Sequence, residues 1–429
     1  MHHIRKSRAT PAVALLASAF LLAACSSATS ASSSSSSSST NSSTNSSTSA
    51  SSSETGAYTQ DGGKYSETGK SYAAANVDES VVYVYGGGSY SLTGSSSSDC
   101  SSLAKTSGDS SSTDNSNFYG LNAIVLAASS SSIALTYCDL KSTVQGANGA
   151  FAYGSGSKVT LSHCSIETTA DSSRGVDATY GGSIVISDST ISTQGAHCAA
   201  LASDRYDSAA PSITATDVTG ATAGEGSPGI YCTGTFNVSD STLTATGSEA
   251  AAIEGFNSIT LTGSAIAGDK KWGVIVYQSN SGDSATGQGT FSMSGGTLTN
   301  NSSGPVFMVC DTTAIINLAG VAIGNAGGSK LLLRATSASS GDDNVNSSWG
   351  SFGGTATLNA TGQALDGAIT RYSTASSVAL NLKTGSSWKL EGDSTVDSLT
   401  IDSTSSVDKN GYTLTCSSVS GDGAGNISN

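Results

Sequence analysis

The chain has 429 residues, of which 12% are charged, with 50 Gly, only 4 Pro and a formal net charge of −14. So few cations leave no basic footprint for a phosphate backbone, so no nucleic-acid partner is expected, nor electrostatic docking on anionic lipid. Sparse charge, dispersed small apolar residues and abundant Ser, Thr and Gly suit a β-rich secreted chain, and the Leu, Glu, Lys and Ala runs of a helical bundle are absent.

The first element is an address. Arg5, Lys6 and Arg8 precede an apolar run from Pro11 to Ala24. The run is too short to span a bilayer as a mature helix and has the length of a signal-peptide core. It ends Leu22-Ala23-Ala24-Cys25, which resembles the bacterial lipobox. The resemblance implies a lipoprotein signal peptide over residues 1–24. It further implies acylation of Cys25 and attachment to membrane lipid on the extracytoplasmic side of a bacterial cell envelope. Cleavage removes three bases and no acid, which takes the charge to −17. Residues 25–57 follow as the lipidated Cys and a Ser/Thr-rich linker that includes the run Ser32 to Ser39. Such a segment buries too little apolar surface to offset chain entropy, so it is expected to be disordered, with a span of roughly 30 Å.

From about residue 80 one line recurs. It reads Ile133-Ala-Leu-Thr-Tyr-Cys-Asp-Leu140, then Val159-Thr-Leu-Ser-His-Cys-Ser-Ile166 and Ile184-Val-Ile-Ser-Asp-Ser-Thr-Ile191. Further copies start at Phe236, Ile259 and Phe291, with looser ones at Ile213 and near Ile315, at steps of 23 to 32 residues. A period in this range signals a solenoid. Apolar residues at positions 1 and 3 give the two-residue period of a strand. Position 5, often Asp or Gly, marks a corner. Beyond it the parity shifts, so that positions 6 and 8 point inward again. A third strand lies upstream, at 149–153, 175–180, 229–232 and 273–277. Three strands per turn predict an all-β chain, a single-stranded right-handed parallel β-helix over 58–429. A capping region is expected at about 58–80 and terminal coils at about 376–429. Roughly a dozen coils at the strand spacing give a rod of about 60 Å.

This pattern resembles the right-handed β-helices of pectate-lyase-like enzymes and of bacterial adhesins. The stretch from Val378 to Thr415 looks like the terminal coils of autotransporter passengers. No membrane β-barrel sequence follows it, so the anchor is expected to be Cys25. The resemblance implies two functions. One is an adhesin-like surface protein that presents a polar face to a glycan or to a host or neighbouring cell surface. The other is a polysaccharide lyase or glycoside hydrolase. A structural rod without a specific ligand is the third. The chain carries one Gly341-Asp342-Asp343 but neither the Gly-His-Gly nor the Arg-Ile-Lys of β-helical polygalacturonases.

Seven cysteines remain beyond Cys25, an odd number. No CxxC pair or His/Cys spacing suggests a metal, and no cofactor is expected. Cys138 and Cys164 fall at one position of adjacent lines and read as small buried hydrophobes. Charged residues gather beside the third strand at about one coil each: Arg174 with Asp177, then His197 with Asp204 and Arg205, Glu225, Glu249 with Glu254, and Lys271 with Trp272. A solenoid turns that spacing into a row, with Phe151, Tyr231 and Tyr277 nearby if their parity is outward. Aromatic faces beside carboxylates suit a carbohydrate. Arg174, Asp177, His197, Glu225, Glu249, Lys271, Trp272 and Tyr277 are therefore the ligand-binding candidates. Glu225, Glu249 and His197 are the catalytic ones, since an inverting glycosidase needs two separated carboxylates. Thr-x-Thr pairs such as Thr214/Thr216 and Thr260/Thr262 raise ice or mineral binding, but the copies do not hold one position in consecutive coils.

Overall fold

In the segment Ser183–Thr193 apolar or small residues alternate with polar ones, and the alternation slips by one residue at Asp188. A strand with that pattern buries one face, and the slip lets the chain turn while keeping the same face inward. In the computed structural model, which describes residues 54–204, 209–340, 345–373 and 375–429, Ile184, Ile186, Ser189, Ile191 and Thr193 are buried and Asp188 is exposed. Asp188 sits in the left-handed backbone region at φ +48°. Tyr137, His163, Asp217 and Asp240 repeat that conformation at equivalent corners, and glycine takes over at Gly263, Gly295 and Gly320. His163 is thus a corner residue, its ring stacked on Tyr137 at 5.0 Å.

The strands pair in parallel and wind into a β-helix with three faces. The first face holds twelve strands, from Thr55–Asp61 to Ala368–Arg371. The second and third faces merge into one sheet of 22 strands, because Ser183–Thr193 and Ser212–Thr222 run unbroken through the corner between them. Four short strands, from Ala364–Asp366 to Ile427–Ser428, finish the third face. Parallel crossovers of this kind take the right-handed sense. The stretch 58–80 is itself wound as the first coil, with strands at Thr55–Asp61, Lys64–Thr68 and Tyr72–Ala74. The terminal coils carry Ser377–Lys383, Ser394–Ile401 and Leu414–Ser420.

Register sets like on like down the core. Tyr90, Ile133, Val159, Ile184, Ile213 and Phe236 form one stack that continues through Ile259, Phe291 and Ile316. The line expected near Ile315 is therefore in register from Ile316, one residue later. Interior polar groups are satisfied by repetition. Thr168, Thr193 and Thr222 each donate from Oγ1 to a carbonyl across the next turn, at 2.5 Å in every case. Cys138 and Cys164 are buried free thiols, and each donates to a main-chain carbonyl of the preceding coil. One coil on, the Ser189 hydroxyl takes over the position and accepts from the Cys164 N–H at 3.0 Å.

Two insertions break the period. Residues 106–124 carry the helix Thr113–Tyr119, capped by Ser112 at its start and by left-handed Gly120 at its end. Residues 337–354 include the short 3-10 turn Ala338–Ser340. No helix among the described residues is long and apolar enough to cross a membrane. The signal peptide, Cys25 and the Ser-rich stretch to Ser53 lie outside the described residues, as do Arg205, Asp342 and Asp343.

Candidate functional site

The outward side of a β-helix face is ordinarily wet, and along the second face it is half-exposed at Thr160 and Val185 and exposed at Thr214. The first face differs. In its strands Val176–Thr179, Leu201–Asp204, Ala251–Glu254 and Val274–Tyr277 every residue is buried, on both sides. The outward row there reads Phe151, Asp177, Ala202, Tyr231, Ala252, Ile275 and Met308 in consecutive coils. Such a row needs cover, and each insertion supplies some. Phe151 packs with Leu126 and Tyr83 in one apolar cluster, and Gly120, at the end of the helix, leaves no room for a Cβ against the Phe151 ring. Toward the C-terminus, Ile275, Tyr277 and Met308 pack with Trp272, Ala338 and Trp349. Phe151 is outward as the parity required, yet fully buried.

Between the two covers lies an open cleft of about 380 Å³. It gathers Arg174, His197, Glu249, Lys271, Trp272 and Tyr277, six of the residues singled out by their spacing. Asp177 does not line it but lies directly beneath Arg174. Glu225 is exposed and faces a neighbouring depression with Lys270 and Lys271, so the structure does not set Glu225 and Glu249 in one cavity. The cleft also includes groups the spacing did not select. Phe118 and Asn117 come from the helix, Trp349 from the second insertion and Asp283 from the loop after Val274–Tyr277. None of these belongs to a repeated line, and the available signal was the break in period at each insertion.

The floor is a buried charge cluster. Arg174 pairs with Asp177 at 2.5 Å and with Asp204, and all three side chains are more than nine-tenths buried. Burial pushes both carboxyls above the usual carboxylate range, against the pull of Arg174. Burial also works against the charge on Arg174, but Asp204 and Asp177 outweigh it and hold the guanidinium protonated. With both carboxyls held up by burial, one cation and two acids share a proton near pH 6 and the floor cluster is close to neutral.

Another carboxylate stands in an adjoining depression that shares Tyr231, Tyr277, Asp283 and Trp349 with the cleft. Glu254 is 1% exposed, and its Oε2 accepts from the hydroxyls of Tyr231 and Tyr277, both at 3.0 Å. Ser279 donates to Oε1, and Ser281 donates to the same oxygen at 3.2 Å. Burial, together with this carboxylate, keeps both tyrosines well above their ordinary value and hence protonated. Tyr277 stacks on Trp349 with ring centres 4.3 Å apart. On the opposite wall Glu249 accepts from the Ser248 hydroxyl at 2.7 Å. Lys271 lies 5.8 Å from the Trp272 ring centre. The Trp272 indole N–H has no acceptor in the protein although the side chain is 1% exposed. A buried donor left unpaired costs free energy, and a ligand oxygen would relieve it.

The arrangement sets aromatic rings, hydroxyls and carboxylates along a single trough, with the unpartnered Trp272 N–H in its wall. Among the described residues no group of three or more His, Cys, Asp or Glu is placed to hold a metal ion. No protein-family model matches the chain, and neither curated proteins nor solved structures give a match.

Proposed function

We propose that this chain is a lipid-anchored β-helix of the bacterial cell surface that binds polysaccharide in the cleft over its first face. The observation that carries the reading is the convergence of Trp272, Tyr277, Tyr231 and Trp349 with Glu249, Lys271 and the Arg174 cluster in one open trough. Sugar rings present apolar faces to aromatic rings and hydroxyls to charged groups, and the trough supplies both. The lipobox-like Leu22-Ala23-Ala24-Cys25 supports attachment to the membrane, and the Ser-rich stretch after it supports a spacer between lipid and β-helix.

The test is binding of the full chain, purified in detergent, to a panel of bacterial, plant and animal polysaccharides. Binding to at least one class is expected. It should weaken at least ten-fold in Trp349→Ala, a half-buried position outside the main core, with unchanged far-ultraviolet dichroism as the check on the fold. Retained affinity in that variant, or no binding across the panel, refutes the reading.

A second reading, a glycoside hydrolase or polysaccharide lyase, is favoured by Glu249 and Asp204 lining the same trough. Release of reducing ends or of unsaturated products by the full chain, abolished in Glu249→Gln with the fold intact, would establish it.

A further inference from the structure

The charge of the cleft narrows what it can hold. Among the described residues the acids that line it are Asp204, Glu249 and Asp283, with Asp177 beneath Arg174 and Glu254 in the adjoining depression. Two described cations, Arg174 and Lys271, face them. Of the two, Arg174 is not free to meet an anionic ligand. Arg174 is committed to Asp177 and Asp204 within the buried floor. Lys271 is half-buried at the rim and is shared with the depression that holds Glu225. Glu254 takes its hydrogen bonds from four neutral hydroxyls, so they leave its full charge in place. In a partly desolvated trough such a field acts at close range, because the effective dielectric is well below that of water.

On the reading of the cleft as a polysaccharide site, we infer that its ligand carries free amino groups, as in a partly de-N-acetylated hexosamine polymer, and that polyuronates are excluded. An ammonium group has three donors and no acceptor, which fits a trough whose acceptors outnumber its available cations. The aromatic walls take the apolar faces of the same sugar rings, and Trp272 N–H is left for a ring or hydroxyl oxygen. A uronate of the same length would bring a carboxylate per residue into a field of its own sign. The inference runs opposite to the substrate charge that the resemblance to pectate-lyase-like enzymes implies.

The experiment is calorimetric titration of the full chain in detergent with three hexamers of equal length: glucosamine, N-acetylglucosamine and galacturonate. At 50 mM salt and pH 6 the glucosamine hexamer should bind at least ten-fold more tightly than the N-acetylated one, and galacturonate should not bind. Raising salt to 300 mM should erase most of that preference. Two variants should move it in opposite directions. Removing one charge should shift amine affinity by roughly three- to ten-fold, weaker for Glu249→Gln and tighter for Lys271→Gln, with the N-acetylated hexamer little changed. Galacturonate binding as tightly as glucosamine, or both variants shifting affinity in the same direction, overturns the charge assignment while leaving the cleft a polysaccharide site. Equal affinity for the two hexosamine oligomers also overturns it. If none of the hexamers binds and the wider panel gives no ligand either, the underlying reading falls with it.

Discussion

Arg174→Met removes the one cation between Asp177 and Asp204 and leaves their carboxylates facing each other in the floor of the cleft. The exposures of the three side chains (8%, 0% and 3%) leave little room for water to take its place. Deleting one partner of a buried ion pair typically costs about 3–5 kcal/mol. One guanidinium serves two acids here, so the upper part of that range is expected at pH 7.5. The loss should depend on pH with a definite sign. Burial holds both carboxyls above the ordinary value, so the folded protein binds more protons than the unfolded chain between about pH 4 and the folded values, and stability falls as pH rises through that window. Without Arg174 the carboxyls rise further, so the window widens and the slope persists to higher pH. The gap between parent and variant is therefore smallest near pH 4 and largest above neutrality. Urea unfolding followed by far-ultraviolet dichroism at pH 4 and 7.5 measures it. A triple variant, Arg174→Met with Asp177→Asn and Asp204→Asn, should recover most of the loss at pH 7.5, since neutral groups of similar shape carry no charge to bury. A gap of equal size at both pH values, or no recovery in the triple variant, would refute the electrostatic account of this cluster.

Three further outcomes follow from the coil geometry. Ile186→Asp places an unpaired charge in the core stack and should cost several kcal/mol, seen as proteolysis at the neighbouring coils. Val185→Asp, on the wet side of the same strand, should stay within about 0.5 kcal/mol of the parent. At the corner, Asp188→Gly should be tolerated, whereas Asp188→Val should lower stability by about 1–2 kcal/mol because a β-branched residue resists the left-handed region; equal midpoints for the two would contradict the corner geometry. Alkylation of the native protein should modify Cys100 and Cys416 quickly and leave Cys138, Cys164, Cys198, Cys232 and Cys310 protected, since only the first two are partly exposed. After unfolding in native-source material seven thiols should react, and an eighth would count against acylation of Cys25.

The β-helix was legible because its determinants are local. Positions 1, 3, 6 and 8 of a line such as Ile184–Ile191 fix both strands and the corner without reference to any other part of the chain. The sequence spacing that aligned Arg174, His197, Glu249 and Lys271 was legible for the same reason, since a step of one coil is a step along one row. Other features depend on segments that carry no period. The outward residues of the first face, Asp177, Ala252 and Ile275 among them, look solvent-facing by parity and are buried because segments without a period, the helix Thr113–Tyr119 and the residues Ala338 and Trp349, lie over that face. Trp349 and Phe118 reach the cleft from those insertions, and no rule of repetition places them. Glu225 obeyed the spacing and still fell outside, because a row one residue from a turn does not determine which way a side chain leaves the backbone. The pairing of Arg174 with Asp177 and Asp204 was legible only as proximity in sequence. Their burial as a unit required the covered face.

The two insertions enter the winding far apart, one after the second coil and the other within the eleventh, so the cleft is tied to a fixed stretch of the ladder. Coils outside that stretch contribute no side chain to it. Duplicating or losing a whole turn near either terminus would lengthen or shorten the molecule by about 4.8 Å without disturbing the cross-section. The length of the β-helix and the make-up of its cleft are consequently separable traits, free to diverge independently under selection.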